Sequence, residues 1–453
     1  MNLSALSALP AGVAEAQTLI QNLDTCFMLG FARLGQDQKD ALVALGRTFT
    51  GTPLAGLLDA AVDAVTSGQV TAEPLLHLAV ARASLNGASH DALRAQALDA
   101  VGRADAETPA TSTSAHDDAL KPALDGVRQW LLELALAGLL NLDNDALSPF
   151  LATLETIQGE PRLARLAALL TGILDEWMGS LPVASMEVVP TRRWVDLWCR
   201  AMLLTVDQRA AAEESTVSGK LTPFAVEPQH HDHLVQLVVW SVLEPAGAPA
   251  QVVRVVVSAW KVDAVAGDEA WHVFGHRKSD LLDAVGEGHG LMVTDMTLTS
   301  TGALRWTGTA KTAGAIDPFR TAALHLGDAA LPTVAPQDRH PVQLALPVLL
   351  QDVKVADGEG GLCVQSGDAT LPLALDRVSP LSGLDPKTLG KADALIGLLR
   401  FDGGRWSVQP LLGSTGGKKA TLLGPALKGV AKGRSATLST LQERAGKLLR
   451  KKS

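Results

Sequence analysis

Residues 395–411, LIGLLRFDGGRWSVQPL, decide how the second half of the chain is read. Two strand-forming runs, Leu395 to Phe401 and Arg405 to Leu411, flank Asp402-Gly403-Gly404. Asp and Gly tolerate the positive φ of a tight hairpin turn, so the stretch predicts two antiparallel strands. Comparable runs recur upstream at Leu234 to Val242, Val252 to Val262, Trp271 to Phe274, Leu291 to Leu298, Ala303 to Trp306, Val342 to Val355, Leu362 to Gln365 and Thr370 to Leu375. Turns rich in Gly, Pro and Asp separate them, and few helix-length segments intervene. The pattern predicts a large, mostly antiparallel β-rich domain over residues 181–413 and argues against a doubly wound parallel sheet.

Towards the N-terminus the hydrophobic period changes. Ala16 to Leu29, Asp37 to Thr48, Leu54 to Val65 and Glu73 to Ala83 carry apolar residues three and four apart, the spacing of one helix face. Short helices joined by short turns pack as antiparallel neighbours, which predicts a helical bundle over residues 1–103, with no sustained repeat period. Residues 104–120, ADAETPATSTSAHDDAL, lose periodicity and have the composition of a solvated linker. Helical patterning resumes at Leu120 to Leu139, Ser148 to Ile157 and Pro161 to Trp177, defining a helical segment over residues 121–180. Beyond it, Val183 to Val189 reads as a strand, and residues 192–204, RRWVDLWCRAMLL, as one amphipathic helix. The expected class is α+β: a helical N-terminal region, a β-rich domain, and a basic tail over residues 414–453.

Composition narrows the chemistry. The 453 residues are 47% hydrophobic but only 4% aromatic, and with no Tyr every phenolic nucleophile or general acid is excluded. Cys26, Cys199 and Cys363 are odd in number and far apart, fitting neither a disulfide framework nor a CxxC metal site, so a reducing cytoplasm is expected. The first 34 residues lack the basic start and apolar core of a signal peptide, and no apolar run reaches the ~20 residues of a transmembrane helix. The Ala-rich composition, without long disordered tracts, points to a bacterial protein.

The net charge of −9 conceals an asymmetry. Residues 1–180 hold 10 Lys and Arg against 21 Asp and Glu, residues 181–413 hold 19 against 26, and residues 414–453 hold 10 against 1. A basic tail on an acidic body can engage an anionic partner or fold back on its own surface.

Few residues suggest chemistry. His231 and His233, in the run His230-His231-Asp232-His233, would share one face of a strand and could bind a metal given a third ligand. The same run, after Pro228 and Gln229, also reads as a polar turn, and no metal or other cofactor is expected. His272 and His276 lie too far apart on a strand to share an ion, and His289 falls in a Gly-rich turn. Residues 413–419, GSTGGKK, are one residue short of a phosphate loop and carry Lys419 where the hydroxyl belongs. No GxGxxG follows a strand, and no GxSxG, HExxH or calcium loop occurs.

Two binding elements are left. Trp194 and Trp198, one helical turn apart beside Arg192, Arg193 and Arg200, could stack on single-stranded nucleic acid, although such a pair more commonly docks its helix onto a core. In the tail, residues 416–433 read as a mobile Gly-Lys stretch and are followed by a leucine stripe. Leu438, Leu441 and Leu448 form the stripe, and Arg444, Lys447, Arg450, Lys451 and Lys452 surround it. The expected function is a non-enzymatic adaptor or scaffold subunit of a cytosolic bacterial assembly, its tail docking a protein partner. The alternatives are a nucleic-acid-binding protein using the tail and the Trp194/Trp198 helix, and a metal-dependent enzyme built around His231 and His233.

Overall fold

The computed structural model describes residues 2–103, 118–206, 213–231, 233–262, 265, 267–274, 279–358, 361–367, 369–416, 421–425, 427–428, 437, 439–441 and 443–444. The fold is α+β, with a helical N-terminal half followed by antiparallel sheets. Contacts divide the chain into two compact units, Pro10–Ala92 with Ala110–Ala211, and Met1–Leu9 with Leu93–Pro109 and Ala212–Ser453. Most of the 104–120 stretch lies outside the described residues, and Asp118–Leu120 forms a 3-10 turn.

The first unit is helical. Its elements are α1 (Val13–Leu29), α2 (Gln36–Thr48), α3 (Ala55–Thr66), the first part of α4 (Ala72–Ala100), α5 (Lys121–Ala137), α6 (Asn144–Leu147), α7 (Leu151–Gln158), α8 (Ala164–Gly179) and α9 (Thr191–Leu204). The apolar positions set by the 3.6-residue period converge on one core that includes Leu23, Phe27, Leu42, Leu131, Leu170 and Trp177. Val183–Ser185 forms a 3-10 turn, correcting the strand read at Val183 to Val189. Among the described residues of this unit no strand is present to pair its backbone groups, and burying Val183 in the helical core satisfies the apolar pattern instead.

An internal repeat, not evident from hydrophobic period, organises this unit. Helices α1 and α5 each have 17 residues and end at Gly30 and Gly138, whose φ and ψ are 94° and 146° and 88° and 138°. Each glycine leads into a three-residue 3-10 turn, Phe31–Arg33 or Leu139–Asn141. The offset that carries Val13 to Lys121 also carries Gly51 to Gly159 and Pro53 to Pro161. Gly30 and Gly138 meet back to back: a Cβ on Gly30 would lie 2.7 Å from Leu136 O, and one on Gly138 2.6 Å from Leu29 C. Backbone that close, at positive φ, admits only glycine.

The second unit is built on a six-stranded sheet. Strands β1 (Glu214–His230), β2 (Leu234–Pro245), β3 (Gln251–Trp260), β4 (His289–Thr299) and β5 (Leu304–Arg305) run in the order β3-β2-β1-β4-β5, and β6 (Thr309–Ala315) also pairs with β4. One face packs against α10 (Ser279–Glu287) and a 3-10 helix, Gly267–Phe274, through Val235, Leu237, Val239, Val255, Phe274 and Leu281. That 3-10 helix replaces the strand expected at Trp271 to Phe274, because Ala270, Trp271 and Phe274 pack onto the sheet. The other face carries Phe224, Val238, Trp240 and Val242, which pack with α11 (Pro318–His325) and a second sheet.

Two smaller sheets complete this unit. Strands β7 (Leu346–Gln351), β11 (Ala394–Asp402), β12 (Arg405–Ser414) and β13 (Leu422–Leu423) form a four-stranded sheet in the order β13-β12-β11-β7. Strands β8 (Lys354–Gly358), β9 (Gly361–Ser366) and β10 (Ala369–Pro372) form a meander. The hairpin read from residues 395–411 is β11–β12, with Asp402 opposite Arg405 and positive φ at both Gly403 and Gly404.

Candidate functional site

The tail is rooted in the β unit. After Ser414 the chain turns at Thr415, whose N–H donates to Thr421 O at 3.0 Å, and returns as β13 with Leu423 opposite Gly413. Leu427 is buried with Leu281, Leu282 and Phe274, and Gly286 of α10 approaches its carbonyl so closely that a Cβ there would lie 2.5 Å away. Of the stretch expected to be mobile, residues 416–433, the described part is held by one β pairing and one buried leucine, and residues 417–420, 426 and 429–433 lie outside the described residues. Further on, the backbone N–H of Thr437 donates to Glu269 Oε2 at 3.3 Å.

Thr437, Ser439 to Leu441, Glu443 and Arg444 are helical, and the Leu441 side chain is 40% exposed. Leu438, Lys447, Leu448, Arg450, Lys451 and Lys452 lie outside the described residues. The leucine stripe is therefore represented by Leu441 and its cations by the exposed Arg444.

Beside the root lies a cavity of about 490 Å³. Phe224, Val226, Ile316, Leu412, Leu422 and Leu427 supply much of its wall, and among the described residues Glu287 is the one charged lining residue. A single carboxylate on an apolar wall provides no acid and base pair, so the cavity suits apolar contact better than proton transfer.

Two buried charges of the β unit, Glu227 and Arg400, are committed to one another. Glu227, buried between the two larger sheets, accepts from Arg400 Nη2 at 2.9 Å, from Gln409 Nε2 at 3.2 Å and from the Trp240 indole at 3.4 Å. Arg400 also donates through Nε to Gln409 Oε1 at 2.8 Å. Burial lowers the proton affinity of Arg400, and Glu227 opposes that shift.

In the helical unit Arg82 is sealed by two carboxylates. Its Nε donates to Asp24 Oδ1 at 2.7 Å, its Nη1 to Asp196 Oδ1 at 2.9 Å and its Nη2 to Arg192 O at 3.2 Å. Desolvation works against the Arg82 charge, but Asp24 and Asp196 outweigh it and raise its proton affinity. Burial pushes the Asp24 carboxyl above its ordinary range, with Arg82 pulling the other way. Burial also pushes the Cys26 thiol up to about 12 and the Cys199 thiol higher still. With Cys363 buried as well, each thiol is withheld from solvent.

The remaining sequence candidates fall elsewhere. His231 and His233 lie in the turn joining β1 to β2, where His231 N donates to Leu234 O at 2.8 Å, so the shared strand face on which a metal pair depends is not formed. Among the described residues no three His, Cys, Asp or Glu side chains gather as a metal-binding group. Trp194 and Trp198 are fully buried, as expected if the pair docks its helix onto a core, and the alternative of a stacking surface is set aside. The Trp194 indole donates to Glu176 Oε1 at 3.1 Å, and that of Trp198 to Leu131 O at 2.9 Å. The nearby cations are also engaged, Arg193 with Glu176 and Arg200 with Asp196.

No helix among the described residues is long and apolar enough to cross a membrane. Compared with known proteins, the chain matches no family model, no curated protein and no solved structure.

Proposed function

We propose that the chain is a non-enzymatic adaptor or scaffold subunit of a cytosolic bacterial assembly, and that its basic tail docks a protein partner. The observation that carries this reading is the way the tail is mounted: Leu427 is buried in the β unit, while Leu441, on a helical turn downstream, has its side chain exposed beside Arg444. A leucine held in water on an anchored segment costs hydrophobic free energy that a protein groove recovers. The commitment of Glu227, Arg400, Arg82 and Asp24 to buried networks supports the same reading, because none of them is offered to a substrate.

A protein partner is favoured over nucleic acid because burial of Trp194 and Trp198 leaves that helix no indole with which to stack on bases. The test is deletion of residues 429–453, which keeps the Leu427 anchor. The expected result is loss of the stoichiometric partner that accompanies the intact chain from its own cell. Retention of that partner would refute the proposal. A salt-dependent loss of DNA or RNA affinity with partner binding unchanged would favour the nucleic-acid reading.

A further inference from the structure

Strand β3 ends the six-stranded sheet, and the two halves of its outer edge differ. Its inner edge pairs with β2 along the whole length, from Leu243 opposite Gln251 to Leu234 opposite Trp260. On the outer edge Val252 N donates to Ala330 O at 2.7 Å and Arg254 N to Gly302 O at 2.9 Å, which covers the first half. Strand backbone alternates, so the N–H and C=O groups of Val256, Ser258 and Trp260 point the same way as those of Val252 and Arg254. Among the described residues no strand pairs with them.

The side chains of this open half are exposed too: Val256 is 43% and Trp260 76% accessible, with Ser258 between them. Edge strands are ordinarily protected from pairing by Lys, Pro or a bulge. Residues 255–260, VVVSAW, contain no charge and no proline, and β3 pairs with β2 without a register shift.

We propose that this half-edge pairs antiparallel with the same half-edge of a second copy of the chain, Ser258 opposite Ser258 on a two-fold axis. The register follows from the residues themselves. Centred on Ser258, all three outward-facing positions are used, and Val256 of each copy lies opposite Trp260 of the other, a favourable β-branched and aromatic pair. Lys261 falls opposite Val255, and Arg254 lies in the half already covered by Gly302, so no cation faces its own copy. A symmetric register centred on Val256 would drive Trp260 against Val252, where Ala330 already occupies the edge. The pairing is isologous and closed, so it stops at two copies.

Sedimentation equilibrium of the full chain over a range of concentrations tests the pairing. The expected mass is twice the 47.3 kDa of one chain. Ser258→Pro removes an outward N–H that β2 does not use, and should raise the dissociation constant ~100-fold. The double variant V256K/W260K sets lysine opposite lysine and should do the same, whereas V256K/W260E sets lysine opposite glutamate and should restore association to within ~10-fold of wild type. Thermal unfolding checks that each variant is folded, and the two charge variants decide if Ser258→Pro is not. A single-chain mass at every concentration would overturn the proposal, as would a dimer indifferent to these substitutions or a failure of V256K/W260E to recover.

Discussion

Each of the two units buries an arginine against a carboxylate, but they treat their surfaces differently. The helical unit seals Arg82 with Asp24 and Asp196 and puts Trp130, Trp177, Trp194 and Trp198 inside its core. The β unit seals Arg400 with Glu227, yet it leaves Trp260, half of β3 and Leu441 facing water. The helical unit hides its large aromatics but not all of its aliphatics, since Leu29, Leu57 and Val188 are exposed. A unit that leaves a strand edge and an aromatic exposed has surface to offer a partner. The exposed aromatic and the open strand edge support the proposal that the β unit carries the binding surfaces.

The sharpest way to break the comparison is to unseal the helical unit. Arg82→Ala would strand a buried carboxylate and should cost ~3–5 kcal/mol in urea unfolding. A cost below ~1 kcal/mol would mean that the site is wetter than its burial implies. Next in size, Gly30→Ala or Gly138→Ala places a methyl against backbone at positive φ and should cost ~2–4 kcal/mol, similar for the two because the contact is reciprocal. In the β unit Leu427→Ala should cost ~2–3 kcal/mol and raise protease cleavage after residue 413, since it loosens the root of the tail.

At neutral pH the smallest effect is expected from the thiols. Folding raises the Cys26 thiol from an ordinary 9.0 to about 12. The protonated form is therefore favoured in the folded state: its stabilising contribution is whole below pH 9 and declines as pH rises towards 12. Alkylation of the native protein at pH 8 should be slow at Cys26, Cys199 and Cys363, and a Cys26→Ala variant should lose part of the alkaline decline in stability. Rapid native labelling of Cys26 would contradict its burial.

Much of the fold was legible because its signals are local. Helical period places α1 to α3, α5 and α9, and the glycine pair at 403 and 404 places the β11–β12 hairpin. Strand β1, the centre of the large sheet, is hidden by Pro223 and Pro228. Both fall beyond Leu221, where pairing with β4 has ended, and Pro223 also adjoins a bulge against β2, so a central strand tolerates residues that usually exclude one. The second half of α4, past Ala83, is hidden because Arg82, Asn86, Ser89 and His90 are polar yet buried, which blurs the face. The internal repeat rests on glycine caps and helix lengths, which hydrophobic period does not register.

Of the candidate site, charge and leucine spacing picked out the tail, but Leu427, its anchor, carries no motif and depends on Gly286 lying far away in sequence. The exposure of Trp260 was equally silent, because an edge strand and an internal one share the same alternation.

The most direct test of the central claim is to separate the leucines of the tail from its cations. Quantitative mass spectrometry of the assembly recovered from the native cell would compare wild type with L441S/L448S and with a variant in which Arg444, Lys447, Arg450, Lys451 and Lys452 are all glutamine. The account predicts loss of the stoichiometric protein partner in L441S/L448S and its retention, with weaker salt dependence, in the glutamine variant. Partner retention in L441S/L448S together with loss in the glutamine variant would contradict it.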